Sequence, residues 1–371
     1  MDILVHAPPR SSAGLIRLLK SLEAADYFGE PPSLVVELPA EADPLLLDFL
    51  SHFSWPPSSG RRDFTLRRRL ESQRPTPQEA SLRAVDSVYP KDSQFSDVLV
   101  LSAQAKLAPS YYHYLKYTLL AFKYPNVPKD TSQRLAGISL ELPLSQPTDS
   151  ELFSKPSNAQ MPPGVGNIPG FLWQVPNSNA ALYFGDKWME FRSFLSNRFL
   201  SPSNFQKHPN VISTRFTAWM EYMLELMRAR GYYVAFPAFG PGEDLSLASV
   251  HEEQSHPLEE IASPLPVPTS TPIVDRVWQY SAKEGVLTDA LTISNILVAF
   301  PGGLPALSSL PVLNYLGEQV SPRKLIEQAE TYSDTFRIEI GGCDRRHKPV
   351  DVTPLQADDL FCFPVAADRT N

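Results

Sequence analysis

The sequence predicts an α/β fold: a mostly parallel sheet with helices on both faces. Three observations carry this. Short apolar runs that suit buried strands recur along the chain, as in Asp2–Ala7 (DILVHA), Ser33–Leu38 (SLVVEL) and Asp97–Leu101 (DVLVL). Segments of helical periodicity separate them, so strand and helix alternate. The prolines, 37 among 371 residues, are about double the usual share and concentrate at the boundaries of these pieces.

The elements follow in order. Asp2–Ala7 is a strand that begins almost at residue 1. Ser11–Phe28 then places Leu15, Leu18, Leu19 and Leu22 on one helical face. Ser33–Leu38 is the second strand. Asp43 caps a helix with Pro44 at its first position. Phe64–Leu66 starts a third strand, with Arg67, Arg68 and Arg69 behind it. Thr76-Pro77-Gln78-Glu79 is a capping box that opens a helix to about Val88. Asp97–Leu101 is followed by a helix after Pro109, and Gly137–Leu142 alternates as a strand. Ser145–Gly170 reads as a long loop. Phe171–Gln174, Ala181–Phe184 and Tyr232–Phe236 read as strands, with helices over about Asp186–Phe199 and Thr214–Arg230. His256–Pro272 reads as a Pro/Ser strap. The expected organisation is a main domain over 1–250, a linker or strap over 251–275 and a C-terminal extension over 276–371. That extension holds a helix over VDRVWQYSAKEGVL and a short strand FRIEI before Gly341.

Composition excludes several classes. Hydrophobic residues make up 43% and the net charge is −8, too apolar and too weakly charged for a chain disordered throughout. The acidic balance argues against a nucleic-acid partner. No window of about 18 apolar residues spans a bilayer. Cys343 and Cys362 could close a modest loop in an oxidising compartment, or stand as two separate thiols. There is no P-loop, no G-x-G-x-x-G after the first strand and no G-x-S-x-G elbow. His251 and His256 are five positions apart, so they do not form a zincin pair on one helical face.

The segment DVLVLSAQAKLAPSYYHYLKYTLLAFKY (Asp97–Tyr124) carries the most information. With GISLELP, FLWQVP, ALYFGDKWMEF and ELMRARGYYVAFPAF following in order, it resembles fungal and plant family 2-like glycosyltransferases with the GT-A fold. The resemblance spans roughly Asp2 to His251. It implies a GT-A-like nucleotide-diphospho-sugar transferase fold with a nucleotide sugar across the carboxyl ends of the strands. It implies a glycan, lipid or protein acceptor. It also implies a divalent Mg²⁺ or Mn²⁺ on the diphosphate, held by acids after the fourth strand. Here those positions are Ser102, Ala103 and Gln104, none a carboxylate, with Lys106 close by. Three outcomes stay open: catalysis without metal, a substitute acid such as Asp97, or a binding fold that has lost catalysis. Relatives often carry an N-terminal anchor and face the Golgi lumen, so a Golgi location is expected if an anchor lies upstream.

The resemblance assigns roles residue by residue. His6, Pro8 and Arg10 leave the first strand where base and phosphate would lie. Glu37 would meet the uridine or ribose. Arg67, Arg68 and Arg69 would turn guanidiniums toward the diphosphate. Asp97, Ser102 and Gln104 complete the donor set. Trp173 and His251 fall on the acceptor side, and Glu221 and Asp186 are the acids nearest the catalytic positions. Each has an ordinary alternative as a polar turn, a solvated face or a helix-terminal acid. Tyr111, Tyr112, Tyr114 and Tyr117 suit either a sugar stack or a core face.

Overall fold

The computed structural model describes residues 1–8, 11–40, 42–57, 63–68, 76–124, 132–148, 151–156, 170–200, 210–213, 216–238, 247–251, 303–344 and 356–362. The elements are β1 (Asp2–His6), α1 (Ser12–Glu23), β2 (Ser33–Leu38), α2 (Pro44–His52), β3 (Phe64–Arg68), α3 (Pro77–Asp86), β4 (Val98–Ser102), β5 (Ala105–Leu107) and α4 (Tyr111–Phe122). They continue with β6 (Leu135–Ser139), β7 (Gly170–Trp173), β8 (Ala180–Tyr183), α5 (Gly185–Leu200), α6 (Trp219–Arg230), β9 (Tyr233–Pro237), β10 (Ala248–Val250), β11 (Val312–Leu313), β12 (Gln319–Val320) and α7 (Pro322–Glu339).

One ten-stranded sheet runs β12-β11-β7-β9-β6-β8-β4-β1-β2-β3. Strands β8, β7 and β11 run against the others. The α/β class with a mostly parallel sheet is therefore as the sequence predicts. The alternation is physical. Ile3 and Val5 face one core with Leu15, Leu18 and Leu46, while Leu4 faces the other with Val85 and Trp188. All three β1 residues are fully buried, and each such side chain stabilises the fold by roughly 1.5–3 kcal/mol. Tyr111, Tyr112 and Tyr114 are buried in the first of these cores.

Local signals set the helix ends. Thr76 and Glu79 form the capping box. Gly231, with φ +65°, stops α6 in the left-handed region that glycine tolerates best. Gly137 lets β6 and β8 approach closely, since a Cβ there would meet the Leu182 carbonyl.

Two expectations need correction. The run FRIEI is the end of helix α7 and not a strand. Ser321 accepts from the Lys324 N–H, Pro322 takes the first turn, and Leu325, Ala329 and Phe336 bury one face. Helical spacing of the buried positions overrides the strand preference of isoleucine and phenylalanine. Second, β6 ends at Ser139, before Glu141. The Ser139 hydroxyl accepts from the Glu141 N–H at 3.2 Å and donates to its carbonyl at 2.9 Å, which turns the chain out of the ladder. The helix expected over VDRVWQYSAKEGVL and the 256–272 strap lie outside the described residues. Strands β11 and β12 join the main sheet beside β7, and Cys343 and Cys362 are disulfide-bonded. No helix among the described residues is long and apolar enough to cross a membrane.

Candidate functional site

The strand order reverses at β1. The chain leaves β1 toward β2 and β3, then returns to β4 on the other side. In open α/β sheets the crevice outside the carboxyl ends at such a switch point receives ligands. The register brings four residues into a row there: Arg67 opposite Glu37, Glu37 opposite His6, and His6 opposite Ser102.

The row is internally bonded. His6 Nδ1 lies 2.8 Å from Glu37 Oε2, and the Ser87 hydroxyl also meets the Glu37 carboxylate. The His6 Nε2 atom is buried and has no hydrogen-bond partner among the described residues. Arg67 and Arg68 are exposed. The Arg68 Nε and Nη2 groups donate to the Ala40 carbonyl at 3.1 and 3.0 Å. Pro8 is exposed, and its carbonyl accepts from the Ser11 hydroxyl at 2.6 Å. Arg10 and Arg69 lie outside the described residues.

Next to the row, the β4–β5 turn carries Ser102 and Gln104. Ser102 Oγ accepts from the Gln104 N–H at 3.2 Å. The Gln104 carbonyl accepts from the His251 N–H at 3.1 Å, and His251 Nε2 is 3.0 Å from Ser249 Oγ. The antiparallel β5–β10 ladder thus carries His251 to Gln104. From Gln104 opens a cleft of about 470 Å³, lined by Glu141, Trp173, Asn177, Asn179, Phe216, Met220, Phe236 and Val250 among others.

Glu141 is the buried acid of this cleft. The Asn177 Nδ2 group donates to its Oε2 at 2.9 Å, and Asn179 Nδ2 donates to Oε1 and Oε2 at 3.2 and 3.1 Å. The Asn177 amide is oriented by backbone donors: its Oδ1 accepts from the Asn179 and Ala180 N–H groups at 2.7 and 3.2 Å. Burial raises the Glu141 pKa, and the amide bonds partly pull it back. Trp173 is fully buried, and its indole N–H has no acceptor among the described residues.

Three assigned acids fall elsewhere. Asp97 precedes β4 at its amino end, where it accepts from Lys123 Nζ at 2.6 Å and the Gly185 N–H at 3.1 Å. Asp186 follows Gly185 beside it and faces Lys187. Both stand at the opposite end of β4 from the row, so neither the donor role for Asp97 nor the catalytic role for Asp186 fits this geometry. Glu221 caps the neighbouring chain, accepting from the Val211 and Ile212 N–H groups at 3.1 and 2.6 Å. Its carboxylate is committed to backbone, although Met220 beside it lines the cleft.

A divalent metal does not fit the β4–β5 turn. Such cations take carboxylate and carbonyl oxygens, and Ser102, Ala103 and Gln104 supply no carboxylate. Among the described residues no group of three or more His, Cys, Asp or Glu side chains is placed to hold a metal ion.

A family model described as the SPBC1E8.03c C-terminal domain matches residues 15–204 of this chain. The chain belongs to that family. The matched span includes Glu37, Ser102, Glu141, Asn177 and Asn179; His6 and His251 lie outside it. No curated protein matches. Among solved structures, S. aureus TarS 1-349 is 12% identical, with 64% of this chain and 58% of that chain covered and a TM-score of 0.35. An active-site mutant of LgtC is 15% identical, with 64% and 72% covered and a TM-score of 0.32. S. aureus TarS 1-349 in complex with UDP-GlcNAc is 12% identical, with 66% and 60% covered and a TM-score of 0.33. These are distant likenesses, and the chain spans less than two thirds of the TarS chains that it matches.

In this family member Glu141, Asn177 and Asn179 are site residues that no sequence motif marks. Glu141 stands in a run that reads as a plain alternating strand. The available signal was Asn-Ser-Asn (Asn177–Asn179) just before a buried strand, a pairing of side-chain amides that suits a buried acceptor.

Proposed function

We propose that this chain is a GT-A-like glycosyltransferase that moves a sugar from a nucleotide-sugar donor to a hydroxyl acceptor. One observation carries the reading: the row Arg67–Glu37–His6–Ser102 stands at the β1–β4 switch point and leads, through Gln104, into the cleft of Glu141. The nucleotide lies over the row and the sugar points toward Gln104. The Arg67 guanidinium meets the diphosphate, which suits its planar donor geometry. The reading involves no metal at the β4–β5 turn. The disulfide Cys343–Cys362 supports an oxidising compartment such as the Golgi lumen.

A second reading is a binding protein or partner subunit of the same fold. The absence of a carboxylate in the Ser102–Gln104 turn favours it; the buried carboxylate in the adjoining cleft favours an enzyme. Titration with UDP-sugars and GDP-sugars, with and without Mn²⁺, separates them by thermal shift and by donor hydrolysis. Metal-independent binding with turnover is expected. Binding without turnover would select the second reading, and no binding to any donor would remove the first.

A further inference from the structure

We propose that Glu141 is the proton acceptor for the attacking hydroxyl, and that its cleft seats a hydroxylated, sugar-like acceptor. The inference rests on the glycosyl-transfer reading above. Five observations carry it. Glu141 lines the cleft that opens from Gln104 on the donor side. Among the described residues its two oxygens take their bonds from Asn177 and Asn179 alone. Among the described residues Oε1 accepts only the Asn179 amide, and a carboxylate oxygen has room for a second donor. The Asn177 amide cannot turn to accept instead, because backbone N–H groups hold its oxygen. Trp173, on the same cleft, has an indole N–H without an acceptor among the described residues. A ligand oxygen would satisfy that donor, and a ligand hydroxyl would fill the open position on Oε1. Both wants belong to one kind of molecule, a polyol.

The step balances without another reactant. The acceptor O–H bond breaks and its proton passes to Glu141. The freed oxygen forms a bond to the anomeric carbon of the donor. The bond from that carbon to the diphosphate breaks, and its electron pair leaves on the phosphate oxygen. The proton on Glu141 then passes to solvent. Burial makes Glu141 a better proton acceptor than an ordinary carboxylate.

The test uses donor hydrolysis, with water as the acceptor, on whichever of UDP-glucose, UDP-GlcNAc and GDP-mannose the unaltered protein cleaves. Glu141→Gln is expected to lower the rate by about 100-fold or more while UDP affinity stays within about threefold. Glu141→Ala is expected to be similarly slow and to regain about tenfold in rate with added sodium formate, a small carboxylate that replaces the lost one. A purely structural role would not respond to formate. A Glu141→Gln rate within about threefold of the unaltered protein would overturn the inference and leave the transferase reading standing. So would a slow Glu141→Ala that formate does not restore. An unaltered protein that binds no donor would overturn the transferase reading itself, and this inference with it.

Discussion

Asn179 grips Glu141 with its side-chain amide at 3.1 and 3.2 Å, while its own carbonyl holds the Ser102 N–H at 2.8 Å. One residue thus joins the end of β4 to the buried acid of the cleft. Asn179→Ala removes the amide and leaves Glu141 with Asn177 alone among the described residues. A buried acceptor stripped of a partner costs about 1–3 kcal/mol. Urea unfolding should show a loss in that range. An unchanged midpoint would mean that the amide contributes nothing to holding Glu141.

Glu141 also gives stability a pH dependence of known sign. Burial raises its pKa above the ordinary value of 4.5, so the folded state binds its proton more tightly than the unfolded chain does. Its contribution is fully present below 4.5 and is lost as pH rises through the folded value. Glu141→Gln abolishes this titration. The Tm of the unaltered protein minus that of the variant should therefore fall between about pH 4 and about pH 8. A difference that grows with pH would contradict the direction of the shift.

Arg67 and Arg68 should behave differently although they are neighbours. Arg68 is already engaged with the Ala40 carbonyl, whereas Arg67 stands in register with Glu37 in the row. Arg67→Ala should weaken UDP binding by roughly three- to tenfold, with a shallower salt dependence, and Arg68→Ala by less. Titration calorimetry at two salt concentrations measures both. Equal losses would argue against a distinct role for Arg67.

A second polar cluster, none of whose residues lines the cleft, is structural. Arg230 bonds Glu190 at 2.8 Å and both oxygens of Asp359 at 2.6 Å, and the Tyr232 hydroxyl donates to Glu190 at 2.7 Å. Glu190 is only 2% exposed. Arg230→Met would leave that carboxylate buried without its cation, a loss of roughly 3–5 kcal/mol. Chemical denaturation checks this. A loss below about 1 kcal/mol would mean that water reaches Glu190 easily.

What could be read from the sequence depended on distance along the chain. The strand of Ile3, Leu4 and Val5, the capping box of Thr76 and Glu79 and the stop at Gly231 are set within a few residues, so local pattern suffices. The row at the end of β1 was partly legible, because strands of a parallel sheet bring their carboxyl ends together whatever lies between. Glu141 was not legible. Its meaning comes from Asn177 and Asn179, 36 and 38 positions away, and from the turn at Ser139 that takes it out of the ladder. Asp97 and Asp186 misled for the converse reason. Both lie next to strands in sequence, but at the end of the sheet away from the row. In FRIEI, strand-favouring side chains sit on a helix because the spacing of Leu325, Ala329 and Phe336 decides burial.

The proposed transferase function requires that a nucleotide sugar lie over the row at the end of β1. Titration calorimetry of UDP and GDP into the whole chain, in the presence of EDTA, tests it most directly. Saturable binding to at least one of them is expected, weakened by Glu37→Gln, which loosens the hold on His6, and by Arg67→Ala. Absence of binding by either nucleotide, or binding that neither substitution alters, would contradict it.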